Sequence, residues 1–234
     1  MTTNTSRDEI LRRIRQALGT PTPTTPPDPT TIPRNYLTTH AHRTPQQTTN
    51  LLADNLTDYR ATVHRTTETH LPHTIANLLT HHGTQRAITP PGLPPHWLTH
   101  ITTPLTTTTT DTHPDPHTLD TIDTVITHSA LAIAETGTII LDASPDQGHR
   151  AITLIPDHHI CIITPDHIVE SLPQALPRLN PTRPQTWISG PSATSDIELT
   201  RIEGVHGPRT LDVIIVTAEP STAPAETVSD EPSA

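Results

Sequence analysis

Leu211-Asp212-Val213-Ile214-Ile215-Val216 is apolar without a break from Val213 onward. A strand with one wet face alternates apolar and polar residues. An unbroken run instead predicts a strand covered on both faces, as in a parallel sheet between helical layers. Working backwards along the chain, strands are expected at Thr186–Ser189, His159–Ile163, Ala151–Ile155, Thr138–Asp142, Thr124–Thr127, Arg86–Thr89 and Ala61–Arg65. Helical periodicity falls between them. Pro45–Tyr59 turns Leu51, Leu52, Leu56 and Tyr59 to one side, and His70–His82 turns Leu71, Ile75, Leu78 and Leu79 inward before Gly83. Further helices are expected at Pro165–Leu176 and Asp196–Glu203, with a helical turn at Ala130–Ala134. Residues 90–118 have no dependable period and read as loop with a little helix. Strands alternating with helices give an α/β layered sheet.

The ends differ from this core. Ser6-Arg7-Asp8-Glu9 reads as a capping box, and Ile10, Leu11, Ile14 and Leu18 form one stripe of an amphipathic helix over residues 7–18. Gly19 and the Thr/Pro-rich stretch to Pro33 end it. That helix either packs on its own domain or docks on a partner chain. From Glu219 onward the chain is acidic and of low complexity, and disorder is expected. The domain plan is therefore 1–33 helix and linker, 34–218 α/β domain, 219–234 tail. No apolar run is long enough for a membrane span or a signal peptide.

Composition excludes several chemistries. All 14 basic residues are Arg, so a Schiff-base or Walker lysine is absent. A net charge of −10 argues against nucleic acid as a partner. The single Cys161 lies in an apolar run; it can form no internal disulfide, which fits a reducing cytoplasm, and cannot hold an iron–sulfur cluster, which takes about four thiolates. The 17 histidines suggest metal, but pairs such as His40/His42, His81/His82 and His158/His159 show no ligand spacing with Cys or Asp. Thr is about a fifth of the chain, and Thr, Pro and His share C-rich codons. The histidines are therefore read as drift at tolerant surface positions, with no metal expected.

The candidate site follows the strand at Thr186. In Ser189-Gly190-Pro191-Ser192-Ala193-Thr194-Ser195-Asp196, small and hydroxyl residues lead into an expected helix capped by Ser195, with Glu198 reaching back. Such a loop lets a ligand approach the backbone, and free N–H groups at a helix start favour an anion. It also suits a tight turn that needs only Gly, Pro and a cap; both readings stand. Glu203-Gly204-Val205-His206-Gly207-Pro208-Arg209 adds a carboxylate, an imidazole and a guanidinium, and Arg209 has the geometry to clamp a carboxylate or to pair with a nearby Glu. Ala134-Glu135-Thr136-Gly137-Thr138 is a second tight turn. The candidate binding set is Gly137, Ser189, Gly190, Ser192, Thr194, Ser195, Asp196, Glu203, His206 and Arg209.

Three blocks carry a resemblance: AIAETGTIIL (132–141), ITLIPDHHICII (152–163) and WISGPSATSDIELTRIEGVHGPRTLDVIIV (187–216). With the opening helix SRDEILRRIRQAL, they resemble the LutC/YkgG family, lactate utilization protein C; residues 34–120 match only in pattern. The resemblance implies a LUD domain of NagB/RpiA/CoA-transferase-like fold. It also implies a cluster-free subunit beside two iron–sulfur partner subunits in the oxidation of L-lactate to pyruvate, with the clusters on those partners and no cofactor on this chain. The alternative is a stand-alone CoA-transferase-like or ligase-like enzyme acting on a small carboxylate, with Glu135 as candidate nucleophile by analogy to relatives that use a Glu in a comparable turn.

Overall fold

A computed structural model describes residues 5–19, 28–108, 115–194 and 202–218. The chain divides into two compact units, 1–37 and 38–234. In the first, α1 (Thr5–Ala17) exposes Ile10, Ile14 and Leu18 along one stripe. The expected Ser6–Glu9 box is not what holds it: Ser6 lies inside the helix, and Glu9 instead bonds Arg12 and Arg13 one turn on.

The second unit is a layered α/β domain. After α2 (Pro45–Asp58) come β1 (Thr62–Thr67), α3 (Leu71–His81), β2 (Ala87–Thr89), β3 (Leu105–Thr107), α4 (Pro116–Leu119) and β4 (Thr124–His128). There follow β5 (Leu131–Ile133), β6 (Thr138–Leu141), β7 (His158–Ile163), β8 (Ile168–Val169), α5 (Leu172–Ala175) and β9 (Thr186–Ile188). The chain closes with β10 (Ala193–Thr194), β11 (Ile202–Glu203) and β12 (Thr210–Thr217). Six strands form a parallel sheet in the order β1-β12-β7-β4-β2-β3, and four form a second sheet, β8-β5-β6-β9. Thr44 caps α2 through a complete capping box with Gln47.

β12 is covered on both faces. Leu211, Val213 and Ile215 of β12, with Cys161 and Ile163 of β7, pack against Leu52 and Leu56 of α2 and against Ala132, Ile139 and Leu141 of the second sheet. Ile214 and Val216, with Ile160 and Ile162, pack against Leu71, Ile75, Leu78 and Leu79 of α3 and against Trp97. Burying each such aliphatic side chain stabilises by about 1.5–3 kcal/mol.

Five expectations change. Leu131–Ile133 is a strand rather than a helical turn, and Ala151–Ile155 is not a strand: Arg150–Thr153 winds into a 3-10 turn. The helix expected over Pro165–Leu176 is broken into a 3-10 turn (Pro165–His167), β8, α5 and a further turn from Leu176, with Pro173 and Pro177 starting the later pieces. Residues 90–118, read as loop with a little helix, do contain a 3-10 turn (Pro95–Leu98) and the start of α4, but also β3 at the sheet edge. The helix expected over Asp196–Glu203 ends instead in β11, which pairs antiparallel with β10. The body of that helix, with Ser195 and Asp196, lies outside the described residues, as does the tail from Glu219.

Candidate functional site

The loop after β9 lines an open cleft of about 320 Å³, near the lower end of ligand-pocket sizes. Ser189, Gly190 and Ser192 form one wall, His206 and Pro208 another, and Arg150 and Thr153 of the 3-10 turn a third. His159 and Leu211 close the floor. These two residues start adjacent parallel strands, so the cleft sits at the amino ends of the central sheet. Ligands in open α/β sheets more often bind outside the carboxyl ends.

Hydrogen bonds fix the walls. Ser189 Oγ lies 2.9 Å from Thr138 Oγ1, tying the loop to β6. Ser192 N–H donates to Pro208 C=O at 2.8 Å, Gly204 N–H donates to Ser192 C=O at 3.0 Å, and His206 N–H donates to Ser192 Oγ at 3.1 Å. The N–H of Ser192 is therefore spent on the opposite wall and is not free for an anion. At Gly190 φ is +80°, and a Cβ there would fall 2.1 Å from Tyr59 O, so no side chain fits between the loop and the end of α2.

Two polar groups in the lining were not singled out from sequence. Arg150 is exposed, and its guanidinium has no hydrogen-bonding or ionic partner among the described residues. His159 is fully buried, with Nε2 2.8 Å from Thr127 Oγ1. Burial, and then the neighbouring His158, push its pKa down to about 3. It is a neutral imidazole near pH 7 and cannot serve as a charged clamp there. Among the described residues neither cleft serine has a base beside it: Ser189 meets Thr138, and Ser192 meets a backbone N–H, while Thr153 Oγ1 donates to Arg150 C=O. Among the described residues the lining offers a guanidinium without a partner, hydroxyls and two imidazoles, a set suited to holding a small carboxylate.

The remaining candidates lie elsewhere or partly outside view. Arg209 does not line the cleft; its Nε is 3.5 Å from Asp157 Oδ1 on the surface. Glu203 is in β11 and Thr194 in β10. Glu135 borders a separate hollow with Asn55, Asp58 and Tyr59. Its carboxylate bonds His40 Nδ1 at 2.8 Å and lies 3.7 Å from Arg43, which also pairs with Glu170. Gly137, at φ +54°, lets α2 approach: a Cβ would fall 2.9 Å from Asn55 C, while Asn55 Nδ2 donates to Ala134 C=O.

Across the sheet from the cleft, Asp212 is buried, 1% exposed, on the α3 face. His64 Nε2 lies 2.6 Å from its Oδ1, and His158 Nε2 and His82 Nε2 lie 2.7 and 2.8 Å from its Oδ2. Burial works against the Asp212 charge, but the bonds from His158 and His64 outweigh it and hold the carboxyl well below the usual range. Burial also lowers the pKa of His82. At the other end of the sheet His128 bridges Asp146 (2.8 Å) and Thr164 (3.2 Å). Cys161 is buried, which pushes its thiol up to about 12, too high for a nucleophile. No helix among the described residues is long and apolar enough to cross a membrane.

Comparison with known proteins adds to this geometry. The LUD domain model matches residues 49–216. Lactate utilization protein C of Deinococcus radiodurans is 45% identical over 168 residues, covering 70% of this chain and 76% of that protein. Lactate utilization protein C of Bacillus subtilis is 37% identical over 99 residues, covering 39% of this chain but only 41% of that protein. Among solved structures, a DUF162 family protein from Deinococcus radiodurans superposes with a TM-score of 0.63 at 36% identity, covering 75% of this chain and all of that one.

Proposed function

The chain belongs to the LUD domain family, and from that premise we propose that it takes part in lactate utilization as an accessory subunit. In this reading it joins iron–sulfur partner subunits in a cytoplasmic complex that oxidises L-lactate to pyruvate, and its cleft holds lactate or another small carboxylate. One observation carries the reading: Arg150, whose guanidinium has no partner among the described residues, lines a cleft of hydroxyls and two imidazoles in which neither serine has a base beside it. Electron transfer falls to the partners, because one buried cysteine cannot ligate a cluster. The exposed Ile10 and Ile14 of α1, with Leu18 just past its end, form an apolar stripe of the kind that docks in a partner's groove.

Titration calorimetry with L-lactate tests the cleft. Arg150→Gln is expected to weaken binding about tenfold or more, the scale of one charge-assisted hydrogen bond. Unchanged affinity in that variant removes the clamp, and lactate-dependent dye reduction by the isolated chain removes the accessory role. Deleting residues 1–20 is expected to leave the 38–218 domain folded and to weaken co-purification with the iron–sulfur subunits; full assembly without α1 removes the docking role.

A further inference from the structure

We propose that His82, His158 and Asp212, with His64 alongside, form a binding site for a divalent transition-metal ion such as Zn²⁺. Each of the first three residues offers one ligand atom, and these atoms all lie within 4.8 Å of one another. Their mixed nitrogen and oxygen set is the kind Zn²⁺ takes, at about 2.0–2.2 Å from each atom. At those bond lengths tetrahedral ligand atoms stand about 3.3 Å apart. The contacts of 2.7 and 2.8 Å to Oδ2 would spread by about half an ångström to admit the ion, with the His82 and His158 nitrogens already within 4.8 Å of each other.

The arrangement is more than a buried carboxylate needs for itself. Nε2 atoms from both His82 and His158 crowd one oxygen, Oδ2, while His64 holds Oδ1. An ion between the two rings and Oδ2 replaces two hydrogen bonds with three coordinate bonds. The His82 and His158 rings already stand side by side, with centroids 4.1 Å apart.

The surroundings support the same reading. Metal-binding imidazoles are usually oriented through their other nitrogen. His158 Nδ1 lies 3.1 Å from Thr124 Oγ1, which in turn lies 2.8 Å from Thr84 Oγ1, so the ring is held with Nε2 aimed at Asp212. The ligands come from β7, β12 and the C-cap of α3, so the ion would tie that helix to the sheet. Exposed His82 gives the ion a way in. The site is on the opposite face from the carboxylate cleft, and the inference does not depend on that reading.

The test uses the full chain, stripped with a chelator and titrated with Zn²⁺ by calorimetry and with Co²⁺ by visible absorption. The expectation is one ion per chain, a Co²⁺ spectrum of low-symmetry, four- or five-coordinate type, and a rise in melting temperature on adding Zn²⁺. His82→Gln changes an exposed residue, so the metal-free fold is expected to survive, with circular dichroism as the check, while affinity falls at least tenfold. His73→Gln is the control, because His73 and His100 form a surface pair of stacked rings away from Asp212. It is expected to change nothing. The proposal is overturned if the wild type binds no stoichiometric Zn²⁺, if His82→Gln binds as tightly as wild type, or if His73→Gln abolishes the binding.

Discussion

Asp142, just past β6, is buried at 8% exposure, yet its carboxyl is held below the usual range. Burial works against the charge, and bonds from Ser144 and from Arg183 Nη1, 2.8 Å away, outweigh it. In an unfolded chain the group takes up its proton near pH 4, and in the fold only below that. The pair therefore contributes in full above about pH 4, and its contribution is lost as pH falls through the folded value. Because Arg183 is 40% exposed, Arg183→Gln is expected to cost only about 1 kcal/mol at pH 7, with the gap to wild type narrowing on acidification. Urea titrations from pH 7 to pH 2 measure it; a constant gap would assign Arg183 a packing role instead. Legibility at this scale was uneven. Ser189, Gly190, Ser192 and His206 were readable because they cluster in the sequence, and they do share a cleft. Arg150 and His159 were not, because one precedes an apolar run that resembles a strand and the other sits in a chain full of histidine. The Asp212 cluster was hidden for a different reason: His64 and Asp212 are 148 positions apart, and only the sheet brings them together.

Elements were legible where a period had room to show itself. α2 and α3 run 14 and 11 residues and were located within a residue or so at each end. Runs of three to five apolar residues carry no period, which is why β5 was read as a helical turn and the 3-10 turn at Arg150 as a strand. The loop after β9 shows how elements constrain one another. Tyr59, the C-cap of α2, presses on Gly190, and the positive φ there excludes a side chain regardless of space. Gly190→Ala is expected to destabilise by more than about 1 kcal/mol, since the new Cβ meets backbone and cannot be relieved by a rotamer change. Gly207→Ala, on the facing wall, has its nearest contact at 3.4 Å and no such strain, so a small change is expected. Denaturant midpoints for the two variants decide the matter. Equal losses would mean that the contact with α2 does not set the loop.

At the scale of the whole molecule, alternating helices and strands revealed the parallel sheet but not its order. The last strand is not at an edge. β12 runs between β1 and β7, setting Thr62 beside Asp212 and Ile160 on the other side. Nothing local encodes that insertion; it follows from burial, because the continuously apolar strand takes a position covered on both faces. Among the described residues β1 has no other neighbour in its sheet, so it depends on a partner that is made last. A chain ending at Glu203 therefore loses β12 and leaves β1 unpaired. It also removes Leu211, Val213 and Ile215 from one core and Ile214 and Val216 from the other. At about 1.5–3 kcal/mol for each side chain, the loss is on the order of 10 kcal/mol, comparable to the whole stability of a typical domain. That fragment is expected to show no cooperative unfolding by far-ultraviolet circular dichroism in urea. A chain ending at Ala218 keeps every one of those contacts and is expected to unfold at the wild-type midpoint. Cooperative unfolding of the 1–203 fragment would show that the remaining strands close a core without β12, and the reading of that strand as the keystone of the sheet would fail.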